Sequence, residues 1–196
     1  MLAIAGCSGV APVPDPSPSV EEFRALALSA LEDAKADGAN EQQLELIEQA
    51  ANLGSVSFET VQSAVDATFA CFESAGIRYE VLPPRVESGI SYPDYAFEGG
   101  ESTAVADACV HANSEFVEVL YMRQPAAVEA SDSAFEAGMP VLITCLRGLG
   151  YELEDDITAD ELKTLLVMQE SDIGTPREQE ALDRFACVRE AGIDSY

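Results

Sequence analysis

Apolar residues recur at intervals of three and four along most of this chain, a spacing that predicts helices with one buried face. The pattern is clearest between Ser57 and Gly76, where five large apolar residues share one helical face: Phe58, Val61, Val65, Phe69 and Phe72. The same spacing predicts six further helices, over about 19–38, 40–54, 102–124 and 126–149, from 158 onwards, and over 175–192. The chain is therefore predicted to be mainly α.

One stretch departs from the helical spacing and has the composition of a β-hairpin. Residues 77–82 are rich in strand-forming side chains, two prolines interrupt them, and residues 90–97 form a second run of the same kind. Pro93 has no N–H to donate, so it predicts that the second run is an edge strand. We expect a single mainly helical domain over 20–196 with this small hairpin, and an α+β class remains possible.

Two of the predicted helices carry residues that bear on their packing and shape. In the segment 102–124, five apolar residues are predicted to form the inner face: Val105, Ala112, Phe116, Val119 and Leu120. In the segment 126–149, Gly138 and Pro140 are both unfavourable inside a helix. They predict a kink or a break at that point.

Three helix ends share a short motif in which cysteine stands five residues before glycine. The motif occurs at Cys71, Cys145 and Cys187, and an isoleucine or tyrosine follows the glycine each time. Glycine in the left-handed conformation ends a helix, and the next apolar residue folds back onto the last turn. The motif suggests two related halves, 57–125 and 126–196, behind an N-terminal helical pair over 20–54. Three unrelated helices with a common cap would give the same motif.

The N-terminal residues predict a lipid anchor. Residues 4–7 read I-A-G-C and have the form of a lipobox, in which small residues precede the cysteine that receives the lipid. The basic and apolar parts of a signal peptide are missing or short, so we expect translation to start upstream and residues 1–6 to be a signal remnant. Residues 7–19 would be lipidated Cys7 and a proline- and serine-rich tether, extended at about 3.1 Å per residue. The alternative is an ordinary disordered terminus.

The cysteine count agrees with export. Five cysteines are an odd number, and assigning Cys7 to the lipid leaves four: Cys71, Cys109, Cys145 and Cys187. Four cysteines allow three pairings. We favour Cys71–Cys109 and Cys145–Cys187, because each pair closes a loop of similar length within one half of the chain. The alternative is four buried free thiols in a cytosolic protein.

This layout resembles small secreted lipoproteins of actinobacteria, which combine a lipobox, a Pro/Ser tether and disulfide-paired helix ends of the C-x4-G type. The resemblance covers Cys7 and most of the span 57–193. It implies an extracytoplasmic location, anchored by lipid to the outer face of the cell membrane, and a stapled helical fold. It implies no activity.

The charge of the chain excludes one class of partner. With 36 acidic and 10 basic residues, the formal net charge is −26, which repels the phosphate backbone of nucleic acids. A hydrophobic fraction of 47% excludes disorder of the whole chain. No apolar run approaches the roughly 20 residues of a membrane-spanning helix. The expected partners are the membrane, through the lipid on Cys7, and an envelope protein or small ligand.

Few residues carry recognisable chemistry. His111 is the only histidine, which excludes sites that need two. His111, Glu115 and Glu118 could share a helix face and hold a metal ion, but a solvated acidic face is the preferred interpretation. The acidic run 152–156 lacks calcium-loop spacing and is expected to be an exposed loop. We assign no catalytic residue, no metal ligand and no cofactor.

The aromatic residues of the hairpin are the candidate binding residues. Four of them cluster in sequence: Tyr79, Tyr92, Tyr95 and Phe97. Exposed together they would form a patch for a sugar or a partner protein, and otherwise they would cover the core. The sequence therefore favours a non-enzymatic envelope protein that binds a ligand or partner. The alternative is a secreted hydrolase or accessory subunit with an unrecognised site, and a buried His111 beside a carboxylate and a hydroxyl would favour it.

Overall fold

The fold is mainly helical with one small sheet, as the sequence predicted. A computed structural model describes residues 18–98, 103–167 and 176–193, which form eight helices and a two-stranded antiparallel sheet. In chain order the elements are α1 (Val20–Asp37), α2 (Glu41–Leu53), α3 (Phe58–Ala75), β1 (Tyr79–Glu87), β2 (Ile90–Phe97), α4 (Thr103–Asn113), α5 (Glu115–Arg123), α6 (Pro125–Gly148), α7 (Ala159–Leu166) and α8 (Pro176–Glu190).

Short polar side chains fix the start of four helices. Each accepts a hydrogen bond from the backbone N–H three residues later, at Ser19, Asn40, Ser57 and Thr158. Such a side chain satisfies one of the backbone donors that a helix start leaves unpaired. These caps place the helix boundaries where the sequence predicts them.

Strands β1 and β2 form a hairpin with a two-residue turn. Ser88 and Gly89 both have positive φ, at 49° and 82°, which fits a type I′ turn. The register shifts between Leu82 and Arg85, where Pro83 and Pro84 stand. The two parts of β2 pack on different clusters, because an irregularity of this kind changes the direction in which side chains point.

Three apolar clusters form the core. The first joins α1, α2, α5 and the start of α3, with Phe23, Ile47, Val61 and Leu120 among its buried members. A neighbouring cluster joins the rest of α3 to α4 and the hairpin, around Val65, Phe69, Phe72 and Cys109. The remaining cluster lies within the C-terminal helices, around Phe135, Leu142, Leu146, Leu162, Leu166 and Val188. Helix α3 therefore connects two clusters of the N-terminal part.

The single helix predicted over 102–124 is instead two helices, separated at Ser114. In an unbroken helix the carbonyl of Ala112 would accept from Phe116. Here that carbonyl accepts from the backbone N–H of Asn40 at 2.8 Å, and the Phe116 N–H donates to Gln43 Oε1 at 2.9 Å. Gln43 Nε2 also donates to the His111 carbonyl at 2.9 Å. The break leaves the His111 carbonyl and the Phe116 N–H without partners in the helix. It is stable because buried Gln43 hydrogen-bonds both groups.

The break changes which residues point inward. Val105 and Val119, predicted on the inner face, are 48% and 36% exposed. The buried positions of these two helices are Ala106, Cys109, Asn113, Val117, Leu120 and Tyr121. The predicted inner face was wrong at the two valines, because a single helical period does not continue through Ser114.

Helix α6 continues through the position where a kink or break was predicted. Pro140 lies inside the helix, and the Thr144 hydroxyl donates to its carbonyl at 2.8 Å. Gly138 is required by packing, because a Cβ atom there would lie 2.6 Å from the Ile193 side chain and 2.9 Å from the Ala191 carbonyl. The glycine lets the end of α8 approach the α6 backbone closely.

The three C-x4-G segments end their helices in the same way. After the glycine, the N–H of Ile77, Tyr151 or Ile193 donates to the carbonyl of Phe72, Leu146 or Val188. Each glycine has positive φ and donates its own N–H to the carbonyl three residues earlier. These are the two bonds of a Schellman motif, so the predicted cap is confirmed at all three positions.

Candidate functional site

Two disulfides hold the helices together, in the pairing that the sequence favoured. Cys71 bonds to Cys109 and Cys145 bonds to Cys187, with Cα–Cα distances of 5.7 and 5.5 Å. We call α3, the hairpin and α4 the first stapled unit, and α6, α7 and α8 the second. Disulfides persist in oxidising compartments, so the two bonds indicate an extracytoplasmic environment.

The predicted anchor lies outside the described residues. Cys7, the signal remnant 1–6 and the tether up to residue 17 belong to this part of the chain. Among the residues that the structure does describe, no helix is both long and apolar enough to cross a membrane.

Three of the four candidate aromatic residues lie together beneath and at the end of the hairpin. Tyr79 stacks on Phe69 with ring centroids 4.7 Å apart and an angle of 12° between the planes. Tyr95 meets Phe69 edge-on at 5.2 Å, and Phe97 lies 5.5 Å from Phe72. We call these five residues the hairpin cluster. It holds a two-stranded sheet, which is marginally stable alone, against α3.

Tyr92, the fourth candidate, lies apart from the others. Its ring meets Tyr121 edge-on at 5.5 Å and packs against the first apolar cluster. The Tyr121 hydroxyl donates to the Ser91 carbonyl at 2.8 Å and so ties the tip of the hairpin to α5. All four candidates are half-buried, with part of each ring in the core and part at the surface.

A surface depression lies at the end of the hairpin opposite the turn. It has a volume of about 270 Å³, and Tyr79 and Phe97 provide its aromatic lining. The other lining residues are Arg78, Glu80, Ala96 and Glu98, and an ion pair of 2.5 Å joins Arg78 to Glu98. We call this depression the hairpin cup. An aromatic surface next to charged hydrogen-bonding groups is a common form of ligand pocket.

A buried pair of polar side chains joins α3 to the break between α4 and α5. The Thr68 hydroxyl on α3 donates to Ser114 Oγ at 2.9 Å, and both residues are fully buried. One carboxylate oxygen of Glu118 on α5, Oε1, is buried and has no hydrogen-bond partner. Glu118 was predicted to lie on a solvated acidic face, but this oxygen is shielded from water.

Two groups in this region have raised pKa values, the carboxyl of Glu118 and the hydroxyl of Tyr95. Burial raises the pKa of the Glu118 carboxyl, the nearby Ser114 side chain opposes the shift, and the charge of Glu115 adds to it. Burial, with a contribution from the Glu118 charge, raises the pKa of Tyr95 to about 12.

His111 lies at the surface of α4 rather than in a cleft. Its Nδ1 is 2.6 Å from Glu115 Oε2, and this hydrogen bond is the largest cause that raises the His111 pKa. The imidazole also packs beside the ring of Phe116, with centroids 5.5 Å apart. Of the three residues predicted to share a face, only His111 and Glu115 pair.

The acidic run 152–156 lies between α6 and α7. Arg147 reaches it and donates to the Asp155 carboxylate at 2.9 Å and to the Leu153 carbonyl at 3.0 Å. Over the described ranges, no group of three or more histidine, cysteine and acidic side chains is placed to hold a metal ion.

A second depression, of about 300 Å³, lies in the second stapled unit. It is lined by Leu149, Gly150, Tyr151, Glu180 and Asp183. The Tyr151 hydroxyl accepts from Arg184 at 3.1 Å, which fixes one wall. No motif in the sequence points to this position.

Sequence reasoning missed the buried polar residues Thr68 and Gln43. Polar residues occur throughout their amphipathic helices, and nothing in their neighbourhood predicts which of them are buried. One signal was present at Ser114, which stands five residues after Cys109, the same interval that separates cysteine from glycine elsewhere. Serine at that position marks a helix end from which the chain continues into another helix.

Known proteins add no functional information. Comparison of this chain with protein-family models, with curated proteins and with solved structures finds no match. A functional assignment therefore depends on the residues and their geometry.

Proposed function

We propose that this chain is an exported, lipid-anchored protein of the cell envelope that binds a ligand or partner protein without converting it chemically. The observation that carries the proposal is the hairpin cup, where Tyr79 and Phe97 are held on a disulfide-stapled helical scaffold. Binding sites are commonly small polar and aromatic surfaces placed on a rigid frame.

The anchor part of the proposal depends on the N-terminal sequence and on the disulfides. The lipobox-like residues 4–7 and the proline-rich segment after them would place the folded domain away from a membrane surface. Lipoprotein processing supplies several acyl chains, and stable attachment needs more than one. The oxidising environment that the disulfides indicate agrees with this location.

The binding part depends on the rigidity of the hairpin cup. Tyr79 is fixed on one side by its stack on Phe69 and at its hydroxyl by a 2.9 Å hydrogen bond to Glu73. Phe97 is fixed by Phe72. A ligand would meet side chains that are already in place, which lowers the entropy lost on binding.

The alternative of a hydrolase finds no support at His111. A catalytic histidine of that kind lies between a carboxylate and a nucleophilic hydroxyl. His111 hydrogen-bonds Glu115, but within the described residues no hydroxyl is hydrogen-bonded to its ring.

The anchor is tested by expressing the gene with its upstream codons in an actinobacterial host. We expect the protein to partition into the detergent phase and the Cys7→Ala variant to move to the aqueous phase. A Cys71→Ala variant is the control, because it also removes a cysteine but leaves the lipid acceptor. Equal partitioning of the wild type and Cys7→Ala would contradict the anchor.

The binding surface is tested separately with immobilised domain and solubilised cell envelope. We expect the amount of ligand or protein retained to fall at least about tenfold for Tyr79→Ala and for Phe97→Ala. Tyr151→Ala, which alters the other depression, should retain the wild-type amount. Thermal unfolding of each variant shows whether the fold is kept. If the Tyr79 and Phe97 variants retain every bound species and His111→Ala abolishes a measurable turnover, the hydrolase alternative replaces the proposal.

A further inference from the structure

We propose that the hairpin cup binds an organic ammonium group, supplied either by a small quaternary amine or by the side chain of a lysine. The inference rests on the proposed binding function and names the chemical class of ligand that this site takes. It depends on what the described lining residues of the cup still offer to a ligand.

The side chains that could donate hydrogen bonds in the cup are already engaged. Of the described lining residues, only Arg78 and Tyr79 carry side-chain N–H or O–H groups. The Arg78 guanidinium pairs with the Glu98 carboxylate at 2.5 Å, and the Tyr79 hydroxyl donates to Glu73 Oε1 at 2.9 Å. An anionic ligand therefore finds neither an unpaired positive charge nor a free hydroxyl proton among these residues.

The charge that remains at the cup is negative. Glu80 lines the cup, is exposed, and forms no ion pair with any basic side chain that the structure describes. A second carboxylate, that of Glu73, lies at the Tyr79 hydroxyl. The net charge of −26 on the whole chain adds a field of the same sign. This site attracts a cation and repels an anion.

Two aromatic rings give the cup a second means of binding a cation. Tyr79 has one face stacked on Phe69, and Phe97 packs against Phe72. Both residues are half-buried, so each ring is fixed on α3 and still contributes to the lining. The face of an aromatic ring is negative and attracts an ammonium group. An alkylated ammonium therefore suits both features, because its charge meets the carboxylates and its methyl or methylene groups meet the rings.

The size and chemistry of the cup fit a head group better than a sugar. Its volume of about 270 Å³ is just below the range of about 300–1,000 Å³ that encloses a whole drug-sized ligand. A sugar ring could stack on the same aromatic surface, but its hydroxyl oxygens would also need donors from the protein. Since the donor side chains are engaged, the property that the cup selects is positive charge.

The test is a titration of the intact, disulfide-bonded protein with matched probes, followed by backbone amide NMR. Choline is compared with its neutral carbon analogue, in which a tert-butyl group replaces the trimethylammonium group. A short lysine peptide is compared with the same peptide acetylated on the lysine side chain. We expect choline, the lysine peptide or both to shift the amides of residues 78–80 and 96–98. Each neutral partner should bind at least about tenfold more weakly. The tighter of the two cations identifies the source of the ammonium group.

Variants of Glu80 separate the effect of charge from an effect on folding. This residue is exposed and lies outside the hairpin cluster, so its substitution leaves the packing of the hairpin on α3 intact. Affinity for the cation should fall about threefold in Glu80→Gln and further in Glu80→Lys. Glu48→Gln, at an exposed position of α2, removes the same charge away from the cup and should bind as the wild type does.

Two results would overturn the inference while the binding function stands. In the first, the neutral partners bind as tightly as the cations, so that the cup recognises shape rather than charge. In the second, no ammonium probe shifts the cup residues, although solubilised envelope still yields a species whose retention needs Tyr79. If neither the probes nor any envelope species bind through Tyr79, the proposed function fails together with the inference.

Discussion

The two stapled units are closed by the same kind of bond, but they enclose different elements. Each joins two helices by one disulfide, with sequence separations of 38 and 42 residues. The first unit encloses the hairpin between its cysteines, and the second encloses α7. In the second unit both cysteines stand one turn before a glycine cap, whereas in the first unit only Cys71 does.

The difference arises after Cys109. The residue five positions later is Ser114 rather than glycine, and its φ of −134° is not left-handed. The chain continues as α5, which carries Glu118. The second unit instead closes on a core of leucine, phenylalanine and isoleucine side chains.

The comparison teaches that the disulfide and the buried polar side chains are separable features of this fold. The disulfide and the Schellman cap define the ends of helices in both units. A buried polar pair, Thr68 and Ser114, occurs where one of those caps is replaced by serine. Mutations that remove a disulfide or a Schellman cap should lower stability similarly in both units. Mutations of Ser114, which replaces the cap glycine, should affect only the first unit.

The largest effect is expected from removing the disulfides. Cys71→Ala/Cys109→Ala and Cys145→Ala/Cys187→Ala should each lower the free energy of unfolding by about 2–5 kcal/mol, since the loops that the bonds close are of similar length. Urea unfolding under non-reducing conditions measures both. Losses that differ by more than about 2 kcal/mol would show that the units are not equivalent in stability.

The next largest effect is expected from Gln43→Ala, which leaves the His111 carbonyl and the Phe116 N–H without partners. The loss should be about 2–4 kcal/mol, because each buried backbone group left unpaired costs about 1–3 kcal/mol. Gln49→Ala, at an exposed position of the same helix, is the control and should cost under about 0.5 kcal/mol. Equal effects of the two substitutions would mean that Gln43 does not support the break between α4 and α5.

A smaller effect, confined to the second unit, is expected from Gly138→Ala. The new methyl group would overlap Ile193 and the Ala191 carbonyl, and overpacking costs about 1–3 kcal/mol. Gly148→Ala is the same substitution on the same helix with open space around it, so it should be neutral or stabilising. A stabilising Gly138→Ala would show that α8 does not approach α6 as closely as described.

The smallest effect is expected at the surface pair of His111 and Glu115. The raised pKa of His111 means that the pair contributes stability below the ordinary histidine pKa and loses it as the pH rises through the raised value. An exposed pair of this kind contributes about 0.2–1 kcal/mol. In an NMR titration, Glu115→Gln should lower the His111 pKa, and Glu136→Gln should leave it unchanged.

Local sequence signals were sufficient for much of the fold. The caps at Ser19 and Thr158, the glycine ends and the hairpin were predictable because short-range geometry determines them. The disulfide pairing was predictable from loop lengths once export was assumed. Three of the aromatic candidates also proved to be neighbours, since residues of one strand pair lie close together.

Long-range contacts determine the features that were not predictable. The break at Ser114 depends on Gln43 and Asn40, about 70 residues earlier, and no glycine or proline marks it. Gly138 was expected to bend α6, but it serves the packing of a residue 55 positions later. The break also changes which way Glu118 faces. Its position could not be predicted from the spacing of residues in a single continuous helix.

The prolines of the hairpin have a consequence for how these molecules meet each other. A two-stranded sheet leaves the outer side of each strand open, and such edges can pair with a strand from another molecule. Pro83 and Pro84 in β1 and Pro93 in β2 remove N–H donors from both strands. Neither edge can present an unbroken row of donors, so molecules crowded together at high local concentration do not extend their hairpins into a shared sheet.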